Sequence, residues 1–221
     1  MTARFWWCVL GGMCLVLSGC LARPLVRPSP DAGRMRQSQA IEQAVLATAR
    51  TGDWLVIRGY HATDALVANA TGIPLSHVAV YNGELRAVVG AEGSGVQQEA
   101  LADFIARADR VLVIRPRWRS EENAAQVWAA TEALVGKSYD YLGTLGFNQP
   151  GRYYCSELAI HVYRPWLRGN ERFPKVIKPG EMYLFGVVLY DSLDREERED
   201  ARESATVSLA PAIVKPALGG T

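Results

Sequence analysis

The chain has 221 residues, with 24 Lys and Arg against 23 Asp and Glu and a formal net charge of +1. Apolar residues make up 49% and charged residues 21%, enough apolar surface to build a core, which excludes disorder as the main state. Near-neutrality gives no basic footprint for nucleic acid, and no internal repeat points to a solenoid or propeller.

Residues 1–19 read as an export signal. Arg4 supplies the positive end, and Phe5 to Leu17 is an uncharged, mostly apolar run shorter than the roughly 20 residues of a membrane span. Leu17-Ser18-Gly19-Cys20 then resembles a bacterial lipobox, in which the cysteine becomes a diacylated N-terminus. Cys20 is therefore the expected lipidation site. Leu21 follows it, where Asp would signal inner-membrane retention, and the resemblance implies the outer membrane, facing the periplasm. Residues 20–33 carry Pro24, Pro28, Pro30 and Gly33 and read as a tether. The signal takes only Arg4 of the charges with it, so the acyl chains, not surface charge, are expected to hold the protein at the membrane. Cys8 and Cys14 leave with the signal, which makes Cys155 the remaining thiol, with no partner in the chain, in an oxidising compartment. Such a thiol is an intermolecular bridge, a reactive group or a small buried hydrophobe.

Residues 34–221 are expected to form one α+β domain, because no Pro/Ser-rich linker divides them. A helix is predicted over residues 34–50, then a strand at Trp54–Ile57 and a loop over residues 59–75. Ser76–Tyr81 reads as a strand, Asn82-Gly83 as a two-residue hairpin turn, and Leu85–Ala91 as the return strand. A short helix at Leu101–Ala108 and a strand at Val111–Ile114 follow. A long helix opens at Ser120, which can cap it, and closes at Gly136. Tyr139–Gln149 is an aromatic loop, Ser156–Trp166 has helical spacing, and Met182–Tyr190 is a last strand. Residues 194–203 read as a solvated helix.

Three histidines remain beside the thiol: His61, His77 and His161. A thiol nucleophile needs a base that becomes a cation beside the thiolate. His77, at the start of an apolar strand, is the best placed. His161 falls six residues after Cys155, about 600° around a helix and away from the cysteine; His61 lies in a loop. Glu92 returns toward His77 on the paired strand but is not opposite it for a two-residue turn, so a bulge or a neighbouring turn is needed, which Gly90 and Gly93 make plausible. Cys155 sits where a helix begins, which favours a thiolate and offers N–H groups to an oxyanion. No second His or Cys stands at ligand spacing, so no metal and no other cofactor is expected.

Taken in order, Gly52-Asp53, Ser76-His77-Val78-Ala79-Val80, Glu92-Gly93-Ser94-Gly95-Val96 and Tyr154-Cys155-Ser156-Glu157-Leu158 resemble the YiiX/YaeF-like branch of the NlpC/P60 superfamily. The resemblance covers about residues 50–190 and implies a circularly permuted papain-like fold, an antiparallel sheet or small barrel packed with helices. It implies a cysteine amidase or peptidase with Cys155 as nucleophile, His77 as base and Glu92 as the residue orienting it. Tyr154, Asp53 and Glu157 are the expected substrate-binding positions, although Asp53 also reads as a structural turn residue and Glu157 as support for the helix start. The expected substrate is a cell-envelope peptide of peptidoglycan type. A lipid acyl hydrolase or acyltransferase, and a non-catalytic binding module, are the alternatives. Oligomeric state is left open.

Overall fold

A computed structural model describes residues 32–60 and 75–193. The signal, most of the tether, His61 with most of the loop over residues 59–75, and the helix over residues 194–203 lie outside them.

The fold is α+β. Helix α1 (Ala32–Thr48) is followed by strands β1 (Trp54–Gly59), β2 (His77–Asn82), β3 (Ala87–Glu92) and β4 (Gly95–Ala100). Helix α2 (Leu101–Ala106), strand β5 (Ala108–Pro116) and helix α3 (Ala124–Glu132) come next. The two-residue strands β6 (Ser138–Tyr139) and β7 (Arg152–Tyr153) bracket a loop and lead into α4 (Cys155–His161). A 3-10 segment over Pro179–Phe185 leads into the last strand, β8 (Gly186–Asp191). The main sheet has six strands in the order β4-β3-β2-β1-β5-β8, with every neighbouring pair antiparallel.

Strand alternation splits the core into two layers. Trp54, Val56, Val78, Val80, Val89, Ala91, Leu112 and Ile114 face one side, where they pack with Leu158 and Ala159 of α4 and with Val127 and Trp128 of α3. Leu55, Ile57, Ala79, Tyr81, Val88, Val111 and Val113 face the other, against Ile41 and Val45 of α1 and Phe104 and Ile105 of α2. Burial of β1 and β2 on both faces explains why their sequences are nearly continuous apolar runs and not alternating ones.

Several elements differ from expectation, among them the last strand, which starts at Gly186 and not at Met182 because Pro179–Phe185 is a 3-10 segment. The β2–β3 turn is not the two-residue Asn82-Gly83 turn: β2 runs through Asn82, and β3 starts only at Ala87. Asn82 Oδ1 accepts the backbone N–H groups of Glu84 and Leu85 at 2.9 Å each, and Arg86 takes a positive φ of 48° to close the loop. Strand β4 went unpredicted because Gln97-Gln98-Glu99 is polar, which is acceptable on the sheet edge that β4 forms. The helix expected from Ser120 to Gly136 is shorter, with turns on both sides of α3. Ser120 and Asn123 bond each other reciprocally, Ser120 N–H to Asn123 Oδ1 at 2.9 Å and Asn123 N–H to Ser120 Oγ at 3.3 Å, and this makes a turn instead of a helix cap. The helix expected to run on to Trp166 stops at His161; Pro165 sits in a separate 3-10 turn over Arg164–Trp166.

Candidate active site

His77 opens β2 and is held on both sides. Its Cα partner on β1 is Ile57, and the preceding Ser76 Oγ accepts the Gly59 N–H at 3.0 Å. Ala79 pairs with Gly90 and Val80 with Val89. That register, carried two residues further, sets His77 opposite Glu92. Of the two devices expected, a bulge or a turn, it is the turn, lengthened to four residues at 83–86, that sets the register, and no bulge is present between β2 and β3. Glu92 is fixed from the other side as well: it pairs with Gly95 across the tight turn at Gly93-Ser94, and Gly95 sits at φ 113°.

The imidazole is buried, and its Nε2 stands 3.6 Å from Glu92 Oε1. Gly90 makes room for it. A Cβ on Gly90 would come within 2.7 Å of His77 Nε2 and 3.1 Å of its Cε1. The ring lies 5.9 Å from that of Phe104 on α2. Glu92 is shared: Arg107, just past α2, reaches its Oε1 at 2.5 Å and Glu99 Oε1 also at 2.5 Å. Arg107 thus restrains Glu92, a role the sequence did not disclose, because Arg107 belongs to no motif and meets Glu92 only after folding.

Cys155 is the first residue of α4 and is buried, with Sγ 3.7 Å from Ser156 Oγ. It belongs to the apolar cluster containing Val78, Val89 and Ala91, whereas His77 packs toward Phe104 on the α2 side. A chain of contacts ties the cysteine segment to the end of the sheet where Glu92 lies. Tyr153 pairs with Tyr139 across β6 and β7. The Tyr139 ring lies 4.8 Å from that of Tyr141, and the Tyr141 hydroxyl donates to the Gly93 carbonyl at 2.7 Å. The Val96 N–H donates to the Lys137 carbonyl at 2.8 Å. Burial and the neighbouring Cys155 sulfur raise the Tyr139 pKa far above the usual phenol range, which keeps Tyr139 neutral.

Tyr154 precedes the helix in an extended conformation (φ −95°, ψ 166°) and is buried. Its hydroxyl accepts the Ile177 N–H at 3.2 Å, and burial pushes its pKa up to about 12. Its ring therefore anchors the strand-to-helix corner that presents Cys155. Glu157 is half-buried; Oε1 accepts from Asn148 Nδ2 at 2.9 Å, while Oε2 is enclosed without a hydrogen bond. Burial raises the Glu157 pKa, partly offset by the Tyr154 amide. Tyr154 and Glu157 line a hollow of about 130 Å³ with Ile160 and Lys175, and Glu157 also borders one of about 270 Å³ formed by Gln149 to Tyr153. His161 turns away from Cys155 toward Tyr153, at 4.8 Å between rings, and burial lowers its pKa.

Asp53 lies elsewhere. It precedes β1 at the end of the sheet opposite His77, where Tyr81 N–H donates to its carbonyl. Its fully buried carboxylate takes a two-pronged grip from Arg115, at 3.0 and 2.7 Å, and the Arg50 N–H at 2.8 Å. The turn role accounts for all of these contacts, and nothing brings Asp53 to Cys155, His77 or Glu92. A cavity of about 640 Å³ at that far end is lined by Arg50, Tyr81, Arg86, Arg119 and Trp128. Asp140, also missed in the sequence, is fully buried, and accepts the N–H groups of Gly143 at 2.7 Å and Gln149 at 2.8 Å, which folds the loop between β6 and β7.

Residues 49–179 match the family model described as permuted papain-like amidase enzyme, YaeF/YiiX, C92 family. The match covers more than half of the chain, and the protein belongs to that family. Its class is accordingly the cysteine-type amidases and peptidases. Among solved structures, the chain is similar to that titled metalloprotein yiiX from Escherichia coli O157:H7, at 25% identity and a TM-score of 0.45, over 54% of this chain and 67% of that one. Comparison with curated proteins gives no significant match. Among the described residues, no group of three or more His, Cys, Asp or Glu is placed to hold a metal ion.

Proposed function

We propose that the protein is a cysteine amidase or peptidase of the cell envelope acting on peptidoglycan-type peptides, with Cys155 as nucleophile, His77 as base and Glu92 as the orienting carboxylate. The observation that carries this reading is the His77–Glu92 pair, with Nε2 and Oε1 3.6 Å apart in the recess over Gly90, at the end of the sheet to which β6 and β7 tie Cys155. Glu92 beside Nε2 favours the tautomer with its proton there and leaves Nδ1 as the base. His77 and Cys155 pack on opposite layers, so the proposed chemistry requires the thiol to reach the imidazole around the rim of the sheet. Nδ1 takes the thiol proton, the thiolate attacks the amide carbonyl, and the resulting imidazolium returns the proton to the leaving amine. Water then attacks the acyl-enzyme, again with His77 as base. The N–H groups at the start of α4 face the oxyanion.

Lipidation at Cys20 and residence at the outer membrane complete the proposal, placing the domain against the envelope. Asp53, at the far end, belongs to the support of the fold in this reading; Tyr154 and Glu157 border the substrate.

The test is the pH dependence of Cys155 alkylation in the full chain, followed by mass spectrometry of the Cys155 peptide, beside His77→Ala. The expected result is a thiolate titrating well below the free value of about 8.5, a shift that disappears without His77. A thiol indifferent to His77 overturns the catalytic pair and leaves a binding module on the same fold.

A further inference from the structure

The loop between β6 and β7 is braced from within by Asp140, yet its outer side is unusually apolar. Tyr141 is 60% exposed, Leu142 47%, Leu145 71% and Phe147 71%. Four large apolar side chains within seven residues form a patch of a kind that soluble surfaces avoid. At such exposure Leu142, Leu145 and Phe147 project from the surface, beside the Tyr141 ring, which rests against Tyr139 with its hydroxyl on the Gly93 carbonyl. Exposed cations flank the loop in the chain, Lys137 just before β6 and Arg152 on β7, and Lys175 lies against it, its Cβ 3.7 Å from where a Gly146 Cβ would be. From residue 137 to residue 178 the chain carries seven Lys and Arg against three Asp and Glu, and one of those acids, Asp140, is fully buried. The whole-chain charge of +1 hides this local excess.

We propose that the 141–147 loop is a membrane-docking surface: its apolar tip enters the interface of an anionic phospholipid bilayer while Lys137, Arg152 and Lys175 meet the headgroups. Charge complementarity favours lipid over a second copy of the chain, which would bring the same cations together. Projecting apolar side chains flanked by cations are the arrangement of interfacial binders. Docking would hold the Cys155 end of the sheet toward the bilayer. It does not depend on the thiol chemistry.

The experiment is amide hydrogen exchange of the full chain, reconstituted in vesicles of phosphatidylcholine alone or of phosphatidylcholine with phosphatidylglycerol at about 3:1, against the chain in detergent. Slowed exchange at 141–147 in the anionic vesicles, weakened by high salt and lost in Leu145→Asp/Phe147→Asp, supports the proposal. Both positions are highly exposed, so the double variant keeps its thermal transition. Unchanged exchange at the loop in vesicle-bound protein overturns the proposal and assigns binding to the N-terminus alone. Protection in detergent that grows with protein concentration also overturns it, in favour of self-association.

Discussion

A single hydrogen atom in place of a side chain decides where His77 sits. Gly90 is not at a positive φ, so alanine suits its backbone, but the added methyl would meet the imidazole at 2.7 Å. Gly90→Ala is therefore expected to move the ring off Glu92 and cut turnover by about tenfold or more, since general-base catalysis contributes ~10²–10⁴-fold. The melting transition should stay close to that of the parent; a variant with undiminished turnover would remove Gly90 from the account. Glu157 gives a pH prediction. Burial raises its folded pKa, so the folded state binds its proton more tightly than the unfolded state does. Stability then falls as pH rises from about 4.3, the ordinary glutamate value, through the raised one. Glu157→Gln should remove that part of the slope, seen as a urea midpoint at pH 7 that rises relative to the one at pH 4 when compared with the parent; equal slopes would contradict it. At this scale motif order marked Cys155, His77 and Glu92 as candidates, and the structure sets two of them, His77 and Glu92, side by side. The sequence did not disclose Arg107 or Asp140, whose partners are set by folding, nor that Gly90 serves to make room for the imidazole.

Among the elements, the two-residue strands β6 and β7 matter beyond their length. Their parallel pairing closes a loop whose base carries Cys155 two residues on, and Asp140 ties that loop through two backbone amides. Asp140→Ala leaves both N–H groups without their charged acceptor, a loss of about 2–4 kcal/mol. Hydrogen exchange should quicken across residues 141–149 first, while β1 and β2 keep their protection; uniform quickening would show that the loop and the sheet open together. Elements of strong period or composition were legible: α1, β1, β2, α2 and β5 fall where expected, with ends shifted by a few residues. Those missed are the ones whose stability comes from partners. Strand β4 is polar because it is an edge, and β6 and β7 are too short to show a period. The β2–β3 turn was misjudged because Asn82 uses its side chain to build a longer loop, which Asn-Gly composition does not distinguish from a tight one.

Over the whole molecule the sheet divides its work by end. At the hairpin end Asp53 and Arg115 lock the start of β1 to β5, and Tyr163, from beyond α4, donates its hydroxyl to the Gly52 carbonyl at 2.6 Å. At the other end lie His77, Glu92 and the tie to Cys155. The α+β class and the permuted papain-like family were legible from the elements and the order of the motifs. The two-layer core was not, because continuous apolar strands do not say which face each residue takes.

The two halves of the proposed pair also differ in when they can exist. His77 and Glu92 meet within one hairpin, whereas Cys155 follows six further strands and helices, β4, α2, β5, α3, β6 and β7. Local pairings form early and distant ones late. A chain still emerging, or only partly folded, would then hold its base and carboxylate ready but its thiol unactivated, so that reactivity becomes a property of the finished molecule alone.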